Sequence, residues 1–262
     1  ELNGGRPVME RIQKIVGALR RAVQDYDMIH AGDRIAVGIS GGKDSLTMLE
    51  ALWMLREHIG PDFGLVALAL DPRFGDTDSN YSAVEEHCRE LGVPLAIRRT
   101  NIGTIIFETR KEHNPCSLCA RMRRAMLHDA AKEDGCNKLA LGHNFEDAAE
   151  TFLMNLLDAG RAECFSPVTY MSRKDITVIR PLIYCREADV LAAAQSLGLP
   201  VMKSACPADK HTEREHVKQL ITRLESEEGY ESVARRIVGA LQRGDICGWG
   251  LGHPEPVVFE GR

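Results

Sequence analysis

The six residues Ser40-Gly41-Gly42-Lys43-Asp44-Ser45 follow directly on the apolar run Ile35-Ala36-Val37-Gly38-Ile39, and that junction constrains the fold more than any other stretch. A short apolar run ending in two glycines reads as a buried strand that stops in a tight turn. A helical pattern opens at Ser45, with Leu46, Leu49, Leu52 and Trp53 on one face. Strand, glycine turn and helix N-terminus together make an anion site, because free backbone N–H groups and the positive end of the helix dipole point the same way. Ser40 and Ser45 can add hydroxyl donors to Gly41 and Gly42, and Lys43 adds a full charge. Asp44 is out of place in a pure anion site unless a divalent cation bridges it to phosphates. A ligand-free glycine turn would need none of these side chains, so the pattern predicts a nucleotide site. It lacks the spacing of the common P-loop: the places for that motif's first glycine and its hydroxyl after the lysine hold Val37 and Asp44.

The rest of the chain alternates in the same way. Val8, Ile12, Ile15, Val16, Leu19 and Val23 predict an amphipathic N-terminal helix. Strands are expected at 35–39, 65–70, 95–100 and 138–142, and candidate strands at 164–170 and 176–179. Helices are expected from Ser79 to about 91, at 102–112, after Pro115, and at 146–157, 188–197, 211–226 and 230–242. Such alternation implies an α/β fold, a doubly wound parallel sheet of Rossmann-like type covered on both faces. The expected organisation is an N-terminal helix over 1–33, a nucleotide-binding domain over 34–200, and a C-terminal helical extension over 201–262. Ligands on such sheets sit beyond the carboxyl ends of the strands, where the Ser40 loop, Asp71, Thr100 and His143 all fall.

Two further clusters carry chemistry. Gly142 and His143 leave a strand, and Glu146, Asp147 and Glu150 open the next helix. Carboxylates in a first turn often only complement the dipole. Beside a phosphate loop, Asp147 could hold Mg²⁺, and His143 could touch the α-phosphate or the substrate. Asn114-Pro115-Cys116-Ser117-Leu118-Cys119 carries a Cys-x-x-Cys at a helix start, open to three fates: redox dithiol, half a zinc site, or part of an iron–sulfur cluster. Of the eight cysteines, Cys88 and Cys136 read as buried thiols, and Cys164, Cys185 and Cys247 lack a motif. Cys206 differs, standing before Pro207 in a loop, as Cys-Pro does beside cluster ligands. Cys116, Cys119 and Cys206 would bind a 4Fe–4S cluster while leaving one iron open.

The net charge of −5 argues mildly against a nucleic-acid partner, yet Arg121, Arg123 and Arg124 cluster just past the cysteines. The bland reading is a solvated helix face. No apolar run approaches the length of a membrane span and the first residues carry no signal-peptide pattern, so a cytoplasmic protein with no membrane partner is expected.

Ser40–Ser45 match the SGGxDS signature of the PP-loop ATP pyrophosphatases, which the chain therefore resembles. The stretch from Gly142 to Thr151 resembles that family's GHNxDDxxET motif, with Glu146 where an aspartate is usual, so the metal role carries over to Asp147 alone. Arg180-Pro181-Leu182 is similar to its RPL segment, which lines the route to the adenylated substrate. Phosphate loop, PCxxC and late Cys-Pro together resemble the tRNA 2-thiocytidine synthetase group, many of whose members carry a second Cys-x-x-Cys where this chain has Cys206. The resemblance implies cleavage of ATP to AMP and pyrophosphate with Mg²⁺. It implies adenylation of the C2 oxygen of a tRNA cytidine, and displacement of AMP by cluster-bound sulfur. Lys43, Asp44, His143 and Asp147 would be the catalytic set. Ser40, Gly41, Gly42, Ser45, Asp71 and Gly142 would complete the nucleotide site, and Arg121 and Arg124 would hold the tRNA backbone. The partners implied are tRNA, a sulfur donor (a cysteine desulfurase or inorganic sulfide) and a second copy in a homodimer. Two rivals stand beside this reading: a PP-loop ligase or amidotransferase with a structural metal, and a non-catalytic nucleotide or redox sensor.

Overall fold

The computed structural model describes residues 5–58, 60–110, 115–203, 206, 213–252 and 256–260. The chain runs α1 (Gly5–Asp25), β1 (Arg34–Ile39), α2 (Lys43–His58), β2 (Gly64–Asp71), α3 (Ser82–Glu90), β3 (Leu95–Arg99), a π-helical turn (Thr104–Thr109) and α4 (Pro115–Glu133). It continues with β4 (Lys138–Ala140), α5 (Phe145–Asp158), β5 (Val168–Met171), β6 (Ile176–Ile179), α6 (Glu187–Leu197), α7 (Glu213–Ser226), α8 (Val233–Arg243) and β7 (Val257–Phe259).

The strands form one sheet in the order β3-β2-β1-β4-β6-β5-β7. β1, β2, β3, β4 and β6 are parallel, whereas β5 pairs antiparallel with β6, and β7 lies parallel to β5. The expected doubly wound parallel sheet is thus present, with a reversed pair of strands at one edge. The chain winds outward from β1 through β2 to β3 and resumes on the other side at β4, so the switch point lies between β1 and β4. The loops after those strands are the Ser40 loop and the Gly142–His143 turn, and this topology alone brings them together.

Period-two alternation divides the core. Ile35, Val37 and Ile39 face one side, where Ile12, Ile15 and Leu19 of α1 pack with Leu46, Leu49 and Leu52 of α2 and Val190 and Ala193 of α6. Ala36 of β1 faces the other side, beneath Ala130 and Ala131 of α4, together with Leu68, Leu139 and Val178. Val238 and Leu241 of α8 and Trp249 belong to the first core, so both terminal segments share it with the nucleotide-binding part. At the end of the sheet away from the switch loops, buried Lys138 pairs with Asp33 at 2.7 Å. Ser79 does not cap α3 as its position suggests. The helix begins at Ser82, and the Ser79 hydroxyl donates to Asp71 at 2.8 Å. Among the described residues no helix is long and apolar enough to cross a membrane.

Candidate active site

The loop between β1 and α2 is held by its own side chains. Gly41 has φ +81, and a Cβ there would stand 2.7 Å from Met202 Sδ, so both backbone and space demand glycine. Its carbonyl accepts from Met202 N at 2.9 Å. The Ser45 hydroxyl donates to Gly42 O at 2.9 Å and accepts from Ser40 N at 3.2 Å. Ser40 Oγ accepts from Gly42 N at 3.3 Å. The two hydroxyls read from sequence as phosphate donors therefore brace the turn here. The opposing loop comes so close that a Cβ on Gly142 would meet the backbone of Asp44 and Ser45 at 3.3 Å.

On one flank of the α2 N-terminus lies a cavity of about 570 Å³. Ser40 and Gly42 form one wall, Leu70, Phe74 and Tyr81 offer an apolar and aromatic surface suited to a flat ring, and Cys119, Cys206 and Arg123 close another side. Its size lies within the range of small-molecule and cofactor sites. Two of the three cysteines read as cluster ligands thus open on the same space as the phosphate loop. Cys116 lies in the first turn of α4, and its side chain, like Pro207, lies outside the described residues. Among the described residues no group of three His, Cys, Asp or Glu side chains is arranged to hold a metal ion.

On the other flank is a smaller pocket, about 170 Å³, crowded with paired charges. Lys43 Nζ lies 2.9 Å from Asp44 and 3.2 Å from Glu187. Burial works against the Lys43 charge, but these carboxylates outweigh it and hold its pKa above the ordinary value. Asp44 also accepts from Asn144 Nδ2 at 3.0 Å. Asn144 caps α5 in a reciprocal box with Asp147, which stitches the β1 and β4 loops together. The other Asp147 oxygen receives Arg214 of α7 at 2.9 Å, and the same guanidinium reaches Glu150 at 3.3 Å. Burial, opposed by Arg214, raises the pKa of Asp147. Glu187 binds Lys218 at 2.7 Å. Glu146 lines the same pocket and accepts from Glu187 N at 2.7 Å, fastening the start of α6.

The chain matches the PP-loop domain family over residues 10–225. It belongs to that family. It is 38% identical over 237 residues to the tRNA-cytidine(32) 2-sulfurtransferase of Syntrophotalea carbinolica, covering 89% of each chain. The protein of the same name from Geobacter sulfurreducens is 37% identical over 88% of this chain and 90% of its own. Among solved structures, the U34-tRNA thiolase NcsA from Methanococcus maripaludis with its 4Fe–4S cluster superposes with a TM-score of 0.70 at 26% identity, covering 89% of this chain and 80% of that one. Within the PP-loop family the chain falls in the tRNA 2-thiocytidine synthetase group, and as a PP-loop protein it binds ATP.

Other residues singled out from the PP-loop motifs lie elsewhere. The Asp71 carboxylate accepts from Arg73 N at 3.1 Å and from Ser79 N and Oγ, both at 2.8 Å, so it shapes the cavity rim. His143 lines neither hollow. Its ring centroid lies 4.8 Å from that of Phe165, and its buried Nδ1 has no hydrogen-bond partner among the described residues. Burial, with Arg180, Arg214 and Arg124 nearby, holds His143 well below the ordinary imidazole pKa and keeps it neutral. Arg180 is buried against Ser166 and Thr169, 5.1 Å above the Phe165 ring, and burial with repulsion from Arg124 lowers its pKa to about 10. Cys88 and Cys136 are buried, as expected, and so are Cys164 and Cys185, for which the sequence carried no motif. Arg214, Lys218 and Glu187 escaped the sequence reading: each stands in an ordinary amphipathic helix pattern, and only the fold carries it to Lys43.

Proposed function

We propose that this protein is an ATP-dependent tRNA sulfurtransferase that thiolates a cytidine through an adenylated intermediate. The observation that carries the reading is the shared cavity: Cys119 and Cys206 face the space onto which Ser40 and Gly42 of the phosphate loop open. A ligase with a remote structural metal has no need of that juxtaposition. The relatives' names support tRNA and cytidine, and the cluster of the archaeal thiolase supports a 4Fe–4S group on Cys116, Cys119 and Cys206. When bound, that group would present hydrosulfide taken from the sulfur donor, which would replace the activated oxygen as AMP leaves.

The chain's own residues act on the phosphates. The first amides of α2 and the Lys43 ammonium hold the polyphosphate, where charge grows on the α-phosphoryl oxygens and on departing pyrophosphate. Asp44 and Asp147 line one pocket and would carry Mg²⁺; for Asp147 this requires Arg214 to move aside, because both its oxygens are engaged. Neutral His143, packed on Phe165 outside both hollows, would act on the loop after β4 from behind and not as a charge at the phosphates. The reading includes a sulfur donor (a cysteine desulfurase or inorganic sulfide), a homodimer and a cytoplasmic setting, each resting on kinship. The deciding test is protein prepared without oxygen: about four irons per chain, a broad visible absorption near 400 nm and thiolation of a cytidine-containing tRNA are expected. Stoichiometric zinc without iron would overturn the cluster, and ADP as the main product would overturn the PP-loop chemistry.

A further inference from the structure

Helix α4 splits the arginine cluster between two sides. Cys119 and Arg123, one turn apart, line the nucleotide cavity, while Arg121, Arg124 and His128 line a separate groove of about 380 Å³. The far wall of that groove is the edge of the sheet. Ile176, Met171 and Phe259 are direct neighbours across β6, β5 and β7, so their side chains share one face. Ile176 is buried beneath α4, whereas Phe259 is 51% exposed and lines the groove. Arg173 and Lys174, from the turn between β5 and β6, complete it.

Three cations and one buried imidazole nitrogen of this groove have no partner among the described residues. Arg121, Arg124 and Arg173 form no ion pair with any described residue, in a chain whose net charge is −5. His128 is 3% exposed, yet its Nε2 has no hydrogen-bond partner among the described residues. Ser172 fixes β7 in place, its N and Oγ both donating to Phe259 O at 3.2 Å, so the aromatic ring stands on an anchored strand. Unpaired cations alone would suit any polyanion. An exposed aromatic ring beside them selects unpaired nucleic acid, since a splayed base has a face to stack and a duplex has none to spare.

We infer that this groove holds a single-stranded segment of the tRNA, its phosphates on Arg121, Arg124 and Arg173 and one base stacked on Phe259. The inference rests on the tRNA reading above and adds a surface to it. α4, about 10–12 Å across with its side chains, is then a ridge between the held backbone and the cysteines. The target nucleotide must leave the path of the strand to cross it.

The test is filter binding of unmodified tRNA to the full-length holoprotein across a range of salt concentrations. Phe259→Ala should weaken affinity about tenfold with little change in salt dependence, and Phe259→Trp should restore it. Arg173→Ala should weaken affinity and flatten the salt dependence by about one unit of slope. Val258→Ala, on the same strand but the opposite face and 56% exposed, should bind as the parent does. Thermal melting checks that each variant folds. If the parent binds tRNA and Phe259→Ala and Arg173→Ala match it, the groove is overturned and the tRNA reading stands. If the parent binds no tRNA, both fall. If Phe259→Ala leaves tRNA affinity intact but turns a dimer into a monomer in sedimentation, the occupant is a second copy and the RNA groove is overturned.

Discussion

The two hollows that flank the N-terminus of α2 are built on opposite principles. The larger, about 570 Å³, mixes backbone amides, apolar and aromatic side chains and two thiols. The smaller, about 170 Å³, is a closed network: Lys43, Arg214 and Lys218 are matched against Asp44, Asp147, Glu150 and Glu187. One is shaped to receive a ligand as it stands. The other must exchange partners before a polyphosphate or a divalent ion can enter, because each added charge competes with an ion pair already made. ATP approaches a surface that is ready on its base and sulfur side and self-satisfied on its phosphate side.

Removing thiols from the larger hollow should have the greatest effect. Cys119→Ala or Cys206→Ala should abolish thiolation and bleach the visible absorption while nucleotide still binds, because Ser40, Ser45 and Met202 brace the phosphate loop. Loss of nucleotide binding in both variants would mean that the two functions of the cavity are not separable. Next comes Lys43→Ala, in the smaller hollow, which should slow AMP formation by at least ~100-fold, the scale of one lost electrostatic stabiliser. Quenched-flow measurement of labelled ATP reads both the rate and the product.

The two hollows also differ in how well the sequence announces them. The larger is written in short motifs: six contiguous residues make the phosphate turn, and Cys119 and Cys206 carry recognisable neighbours. The close approach of Gly142 to Asp44 follows from the same pattern, since both sit at the ends of adjacent strands. The smaller depends on partners far apart in the chain, with Arg214 standing 67 residues from Asp147. No local periodicity encodes such a pairing. The fold was legible for the same reason as the motif: strand and helix periods are local. It was least legible at the sheet edge, where the polar turn 172–175 makes β5 and β6 an antiparallel hairpin and β7 has only three residues. That edge supplies Met171, Arg173 and Phe259, none of which a motif marks.

Arg214 offers a sharper probe of the self-satisfied hollow. If it holds Asp147 in reserve until Mg²⁺ arrives, Arg214→Gln should lower the Mg²⁺ concentration for half-maximal AMP formation about threefold, the effect of removing a partly exposed ion pair. If Arg214 instead grips the leaving pyrophosphate, the same variant should form AMP more slowly with its Mg²⁺ requirement unchanged. A Mg²⁺ titration of initial rates separates the two, and no change in either quantity would reduce Arg214 to a surface brace.

The smallest effect expected is on stability. Burial and the Asp147 carboxylate push Glu150 up to about 7, against the pull of Arg214 and Lys218, while an ordinary glutamate titrates near 4.5. Between those values the folded chain keeps a proton that the unfolded chain has released. Stability is therefore highest below the window, declines as pH rises towards 7, and levels off above it. Glu150→Gln cannot ionise, so it should remove this contribution. Relative to the parent, its melting temperature should rise steadily from pH 5 to pH 7.5, by roughly 3–6 °C in all, on the scale of about 1–2 kcal/mol. The absolute value at pH 5 is not the test, since the amide oxygen of the variant can still accept from Arg214 in place of the protonated carboxyl. The slope of the difference is what tests the charge. A constant offset across the range would mean that Glu150 titrates in the folded chain as it does in the unfolded one, the pull of Arg214 and Lys218 offsetting its burial.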